Sequence, residues 1–399
     1  MALPQSRRTT LSFNRLNRWL AALAIVLVGS ALAGIDAALA QTASGSIAQS
    51  SGTDEEIARY DDIVRRFGTS DDASSRVKVA EALRSKAMAL GYSGYKAMIR
   101  ANPGQRNEAF NEAIAVLDDL LRRFGTATEP ALRYEVAEAL VDKGTTLGLL
   151  DRDEEIAAYD DVVRRFGTAS EPELREQVAE ALSHKAMALA FSGRGNEAFN
   201  EALAIYDDVV RRFGTASEAR LRKKAARALH EKGYALKRFD RNEEAITAYD
   251  GVVRRFGTAK EKGLRAEAAE ALFDKSSLLG QLGRKEEAIA IYDDVVRRFG
   301  MAGEPELRMM AAKALFDKAG ALRQLGRKKQ AVAVYDEVVR RFGAVSEPDL
   351  QEQVAKALYD KGVAVAELGR RKEALATFDD IVRRFRTSSH EWVSKALSL

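Results

Sequence analysis

The chain has 399 residues, with 63 Lys and Arg against 59 Asp and Glu, three His and no Cys. The absence of cysteine excludes disulfides, thiol nucleophiles and cysteine-held metals. Four arginines and one Asp lie in the first forty residues, so the rest balances 59 basic against 58 acidic groups, without the basic footprint of a nucleic-acid-binding protein.

At the start, Arg7, Arg8, Arg15 and Arg18 precede an apolar run over 20–35, and Ala38-Leu39-Ala40 closes it. Basic head, apolar middle and small-residue end predict a signal peptide over 1–40. An uncleaved inner-membrane anchor is the competing reading, although the run is short for a membrane span. Either way the chain is expected to be exported, to a bacterial periplasm or to the periplasmic face of the inner membrane. Residues 41–53 are rich in Ser, Ala, Gly and Thr and predict a flexible linker.

From residue 54 onward a single phrase returns. Tyr-Asp-Asp-Val-Val-Arg-Arg-Phe-Gly at 159–167 has counterparts starting at Tyr60, Leu117, Tyr206, Tyr249, Tyr292, Tyr335 and Phe378. Phe213, Phe256, Phe299, Phe342 and Phe385 then recur every 43 residues, a period typical of helical solenoids. Within one copy Ala288, Ile291, Tyr292, Val295, Val296 and Phe299 form one apolar helical stripe. Glu286 and Glu287 precede it and Arg297 and Arg298 end it, which suits the helix dipole. Asp293 to Arg297 and Asp294 to Arg298 are expected i,i+4 pairs, and Gly300 is expected to close the helix in the left-handed conformation.

A second helix type alternates with the first. Ser170 and Glu173 predict a capping box, with Pro172 in the first turn. Leu174, Val178, Ala181, Leu182, Ala186 and Leu189 make its buried stripe, and a Leu-Gly-Arg turn, as at 282–284, leads back to the next Tyr-Asp-Asp helix. The copy at 54–68 has no such partner before it and reads as an N-terminal cap. Four extra residues at 196–201, and again at 107–112, add about one helical turn. The stretch 91–105 lengthens a turn and carries Tyr92, Tyr95 and Met98, read either as an elongated loop or as a hook for a partner. Residues 386–399 leave the repeat and predict a C-terminal capping segment closed by Trp392.

This alternation resembles the tetratricopeptide repeat family over 54–385, with a lengthened first helix. Leu272, Ser276 and Leu279 stand at that family's tryptophan, glycine and tyrosine positions, and Ala288, Tyr292 and Val295 match its second helix. Gly144, Gly233 and Gly362 restore the usual glycine in other copies. The resemblance implies an all-α, right-handed solenoid of stacked antiparallel helix pairs whose first helices line a concave groove. The groove-facing position implied by the family is Arg84, Val141, Ser183, His230, Phe273, Phe316 and Tyr359, and it differs from copy to copy within a uniform framework. The expected function is a non-catalytic scaffold for a protein or peptide partner.

A rival expectation rests on lysines. Lys86, Lys143, Lys185, Lys232, Lys275, Lys318 and Lys361 hold one position in seven first helices. Facing the groove they would hold an envelope polyanion; facing a second helix they would pair with carboxylates. No catalytic, cofactor or metal constellation is read: His184, His230 and His390 lie on different helices and are expected to be solvated or groove-facing.

Overall fold

The computed structural model describes residues 49–385, with side chains from 53 onward. The chain divides into two compact units between Lys224 and Ala225. In the first, α1 (Gln49–Phe67), α2 (Ala73–Ile99), α3 (Pro103–Phe124), α4 (Pro130–Leu149), α5 (Glu154–Phe166), α6 (Pro172–Phe191) and α7 (Asn196–Phe213) follow one another. The division falls within α8 (Ala219–Arg238). The second unit continues with α9 (Asn242–Phe256), α10 (Lys262–Gln281), α11 (Lys285–Phe299), α12 (Pro305–Gln324), α13 (Lys328–Phe342), α14 (Pro348–Glu367) and α15 (Arg371–Phe385). No strand occurs among the described residues.

Even-numbered helices are the first members of each pair and odd-numbered helices the second. From α1 to α7, and again from α9 to α15, each helix packs on its sequence neighbours. First helices also pack on one another, α2 on α4 and α4 on α6, then α10 on α12 and α12 on α14. Short connections between such helices make the pairs antiparallel. Each unit is an all-α solenoid, each pair burying its apolar face on the next.

The stripe read in the sequence is the seam. Ala288, Tyr292, Val295, Val296 and Phe299 of α11 are buried. The tyrosine that opens the repeated phrase is its largest member: Tyr159, Tyr206, Tyr249 and Tyr335 are each under 2 % exposed. In some copies a first-helix glycine makes room for this ring. A Cβ on Gly144 would stand 2.5 Å from Tyr159 Cε1, and one on Gly233 2.6 Å from Tyr249 Cε1. Such glycines are there for close approach, since they sit inside α4 and α8 where helix propensity alone disfavours them.

Several local expectations are corrected. Gly300 has φ −61° and is not left-handed. It is small because a Cβ there would meet Val296 O at 2.5 Å and the Arg341 guanidinium at 2.7 Å. Left-handed glycines occur instead in the Leu-Gly-Arg turns, Gly283, Gly326 and Gly369 having φ 77°, 75° and 78°. The capping box of Ser170 and Glu173 does not form, because Glu171 is the N-cap and makes no side-chain cap bond. Its carboxylate instead accepts from the Ser170 N–H at 3.0 Å and from Arg133 on the preceding first helix.

The stretch 91–105 is not an elongated loop, since α2 runs on to Ile99 and Pro103 already begins α3. The extra residues near 196 and 107 are absorbed as helix, α7 and α3 starting early. Helix α1 begins at Gln49, so the linker expected over 41–53 is helical where it is described. The leader over 1–40 and the capping segment with Trp392 and His390 lie outside the described residues. Among described residues no helix is long and apolar enough to cross a membrane.

Candidate partner-binding face

The recurrent charges are consumed by ladders between neighbouring repeats. Asp293 does not pair with Arg297; its Oδ1 accepts from Lys318 Nζ at 2.5 Å. Asp294 holds both arginines of its own helix, Arg297 and, at 2.9 Å, Arg298. The second arginine also reaches back to the preceding copy: Arg165 donates to Gly125 O at 3.0 Å and Arg212 to Gly167 O at 2.7 Å. A third ladder joins the first helices, Arg265 to Glu304 at 2.7 Å and Arg175 to Glu218 at 3.2 Å, with Arg76 to Glu129 and Arg308 to Glu347 in the same register.

The lysines follow the same rule. Lys86, Lys143, Lys185, Lys275 and Lys361 each lie 2.6 Å from the first aspartate of the preceding second helix, Asp61, Asp118, Asp160, Asp250 and Asp336. Lys232 contributes to the lowered pKa of Glu244, after the bond from Arg241. Each Lys–Asp pair is solvated on its aspartate side, and exposed ion pairs contribute ~0.2–1 kcal/mol. Lys185→Met is therefore expected to lower stability by less than ~1 kcal/mol in denaturant unfolding. A larger loss would mean that the lysine position has a further structural task.

What varies is the face between first helices. In the first unit Arg84 on α2 reaches into α4, where Glu135 and Glu138 lie 2.7 Å from its guanidinium and Asp142 3.9 Å. Gln177 donates to Glu138 at 3.2 Å, Tyr134 donates to the same carboxylate at 2.6 Å, and Lys224 holds Glu180 at 2.8 Å. Burial pushes the Glu138 and Asp142 carboxyls up against the pull of Arg84, Asp142 to about 7. Val141 and Ser183, at the same register, are buried.

In the second unit the register position turns aromatic. His230 Nε2 lies 2.8 Å from Asp274 Oδ2, and its Nδ1 lies 3.9 Å from Glu267 and from Glu270. Phe273 meets Tyr292 with ring centroids 6.5 Å apart, Phe316 meets Tyr335 at 5.8 Å, and Tyr359 meets Phe378 at 5.7 Å. These three side chains are half-buried, each resting on the returning helix. Lys356 stands over the Phe316 ring at 4.4 Å, and the neighbouring Asp317 carboxyl is raised by burial despite Lys356 and Lys313.

Tyr95 packs on a cluster of Phe110, Leu149 and Met187. Tyr92 lies under Lys96 Nζ at 4.3 Å, and Met98 is half-buried. His184 is not solvated: it is 5 % exposed and edge-on to Tyr159 at 5.6 Å, at the register that other first helices fill with Asp142, Glu231, Asp274, Asp317 or Asp360. The acidic residues of α4 and α10 are functional candidates that only the stacking of first helices brings to light. Their signal was present as Glu-x-x-Glu followed by Asp at 135, 138 and 142 and again at 267, 270 and 274.

A uniform framework of helix pairs tied by ladders, with one variable face, defines a repeat protein of the solenoid class. Residues 230–302 and 316–389 match the tetratricopeptide repeat family. No curated protein matches the sequence. Among solved structures it is similar to the apo form of the quorum sensor NprR from B. thuringiensis, at 13% identity over 94% of this chain and 98% of that one, TM-score 0.38. It is also similar to a Rap protein complexed with competence and sporulation factor, at 12% identity over 98% and 99%, TM-score 0.37. A tetratricopeptide repeat protein from Parabacteroides merdae shows 13% identity over 78% and 97%, TM-score 0.32.

Proposed function

We propose that the chain is a non-catalytic scaffold that binds a protein or peptide partner on the first-helix face of its second unit, and that it works in the cell envelope after export directed by residues 1–40. One observation carries this reading. The position that differs most between otherwise matching copies supplies Phe273, Phe316 and Tyr359, half-buried aromatics held firmly from below by Tyr292, Tyr335 and Phe378. Aromatic side chains anchored in this way offer contact area with little rotamer entropy left to lose on binding. Lys356 stands over the Phe316 ring, so a partner with an apolar side chain beside a carboxylate complements the face.

The polyanion alternative is not supported by comparable geometry. Lys86, Lys143, Lys185, Lys275, Lys318 and Lys361 already have aspartate partners, and an incoming polyanion would have to displace those carboxylates.

The test is affinity capture from the native envelope using the chain without residues 1–40, beside Phe273→Ala and Phe316→Ala forms. Phe316→Ala is expected to weaken the captured complex at least ~30-fold, the effect of losing a contact of ~2 kcal/mol or more, while thermal unfolding confirms an intact fold. Capture unchanged by both substitutions but abolished by moderate salt would count against the aromatic face.

A further inference from the structure

Helix α10 places Glu267, Glu270 and Asp274 on one side, at i, i+3 and i+7, and that side faces His230 of α8. The imidazole is gripped from both ends. Nε2 lies 2.8 Å from Asp274 Oδ2, and Nδ1 lies 3.9 Å from an oxygen of each glutamate. One ligand atom from each of His230, Glu267 and Glu270 falls within 4.8 Å of the others. Arg227, which reaches Glu270 electrostatically, is bonded to Glu231 at 3.0 Å.

A second observation points to the same spot. Tyr249 is fully buried, its ring stands edge-on to the His230 imidazole at 5.5 Å, and its hydroxyl has no hydrogen-bond partner. A buried phenol left without a hydrogen-bond partner is costly and calls for an explanation. Burial and the Asp274 charge both raise its pKa, so it stays a neutral donor beside the carboxylates. One oxygen of Glu231 is likewise sealed and unpaired.

We propose that His230 Nδ1, Glu267 and Glu270 form a binding site for one divalent transition-metal ion of the zinc class, with Asp274 orienting the imidazole through its Nε2–H. An imidazole with two carboxylates selects a borderline cation over calcium or magnesium, which take oxygen donors alone. A ligating histidine that gives its other N–H to a carboxylate is the usual supporting arrangement, because that bond fixes tautomer and ring direction. Metal–ligand bonds of ~2.0–2.2 Å set neighbouring donors ~3.3 Å apart, so the 3.9 Å spacings need only a small rotamer adjustment. Three protein ligands leave a fourth coordination position open.

The first unit shows why the histidine matters. The same three-carboxylate pattern at Glu135, Glu138 and Asp142 surrounds Arg84, whose permanent positive charge fills the space. At His230 the centre is an imidazole: burial pulls its pKa down, but Asp274 and Glu267 raise it to about 10, so a metal binds there by displacing the Nδ1 proton.

The chelator-treated full chain is titrated with zinc chloride by calorimetry, and with cobalt(II) for its visible absorption. Uptake is expected to saturate at one equivalent. Asp274→Asn should weaken it ~10- to 100-fold, and His230→Gln and Glu267→Gln with Glu270→Gln should abolish the stoichiometric phase. Lys185→Met should bind as the parent does. Nitrogen-15 spectra of the unsubstituted chain supply a readout independent of any variant's folding, since zinc should shift one histidine Nδ1 strongly. No stoichiometric uptake, uptake unaltered in a folded His230→Gln protein, or zinc that leaves every histidine nitrogen unshifted would overturn the proposal.

Discussion

Tyr335→Ala is expected to remove ~3–5 kcal/mol, the range for deleting a buried aromatic side chain. Tyr335 is 1 % exposed at the centre of α13, beneath Phe316 at a centroid distance of 5.8 Å. Its removal leaves a void shared by α12, α13 and α14, all of which pack on one another in sequence order. In a repeat array stability is close to a sum of unit and nearest-neighbour terms, so the loss is local. Denaturant unfolding followed by circular dichroism should lose its single transition, with α13 to α15 melting ahead of the rest. Tyr335→Phe keeps the ring and should stay within ~1 kcal/mol of the parent. A single sharp transition shifted by less than ~1 kcal/mol in Tyr335→Ala would show that the seam is not what couples the repeats.

Arg84→Ala should cost about 2–3 kcal/mol. Breaking a buried ion pair by deleting one partner costs ~3–5 kcal/mol, and the Arg84 side chain, 22 % exposed, retains some screening by water. The deletion strands Glu135, 5 % exposed, beside Glu138 and Asp142. The loss should shrink on acidification because protonation relieves the stranded charges. Asp142 isolates the proton linkage. Its Oδ2 is sealed and has no hydrogen-bond partner, and its pKa is raised by burial from 3.8 to about 7. The folded state therefore holds this proton more tightly than the unfolded chain. The stability it contributes is fully present below about 3.8 and lost as pH rises to about 7. Asp142→Asn, which keeps the neutral form at every pH, should raise the melting temperature at pH 8 relative to the parent and give no advantage at pH 4. A gain that did not vary with pH would assign the effect to packing and not to ionisation.

Most of the framework was legible in the chain because it is written many times over. The Tyr-Val-Val-Phe stripe, the alternation of two helix types and the 43-residue spacing of the closing phenylalanines follow from helical period and burial, which depend on local sequence. The same reasoning located the variable register from Arg84 to Tyr359, since a difference within a repeated frame stands out without coordinates.

Partner choice among the charges required the tertiary structure. Asp293 has Arg297 four residues away on its own helix, yet it bonds Lys318 on the next one, while Asp294 alone serves both arginines. Local spacing offered both outcomes at similar energy, and only the approach of neighbouring helices decided between them. Gly300 is the same lesson in backbone terms: a glycine after a helix suggests a left-handed cap, but here a guanidinium from the following copy occupies the space a Cβ would need. His230 and the carboxylates of α10 lie 37 or more positions apart in the chain and carry no shared motif. Stacking brings them together, because residues on adjacent first helices meet through helix packing, a relation that no one-dimensional pattern within a single repeat encodes.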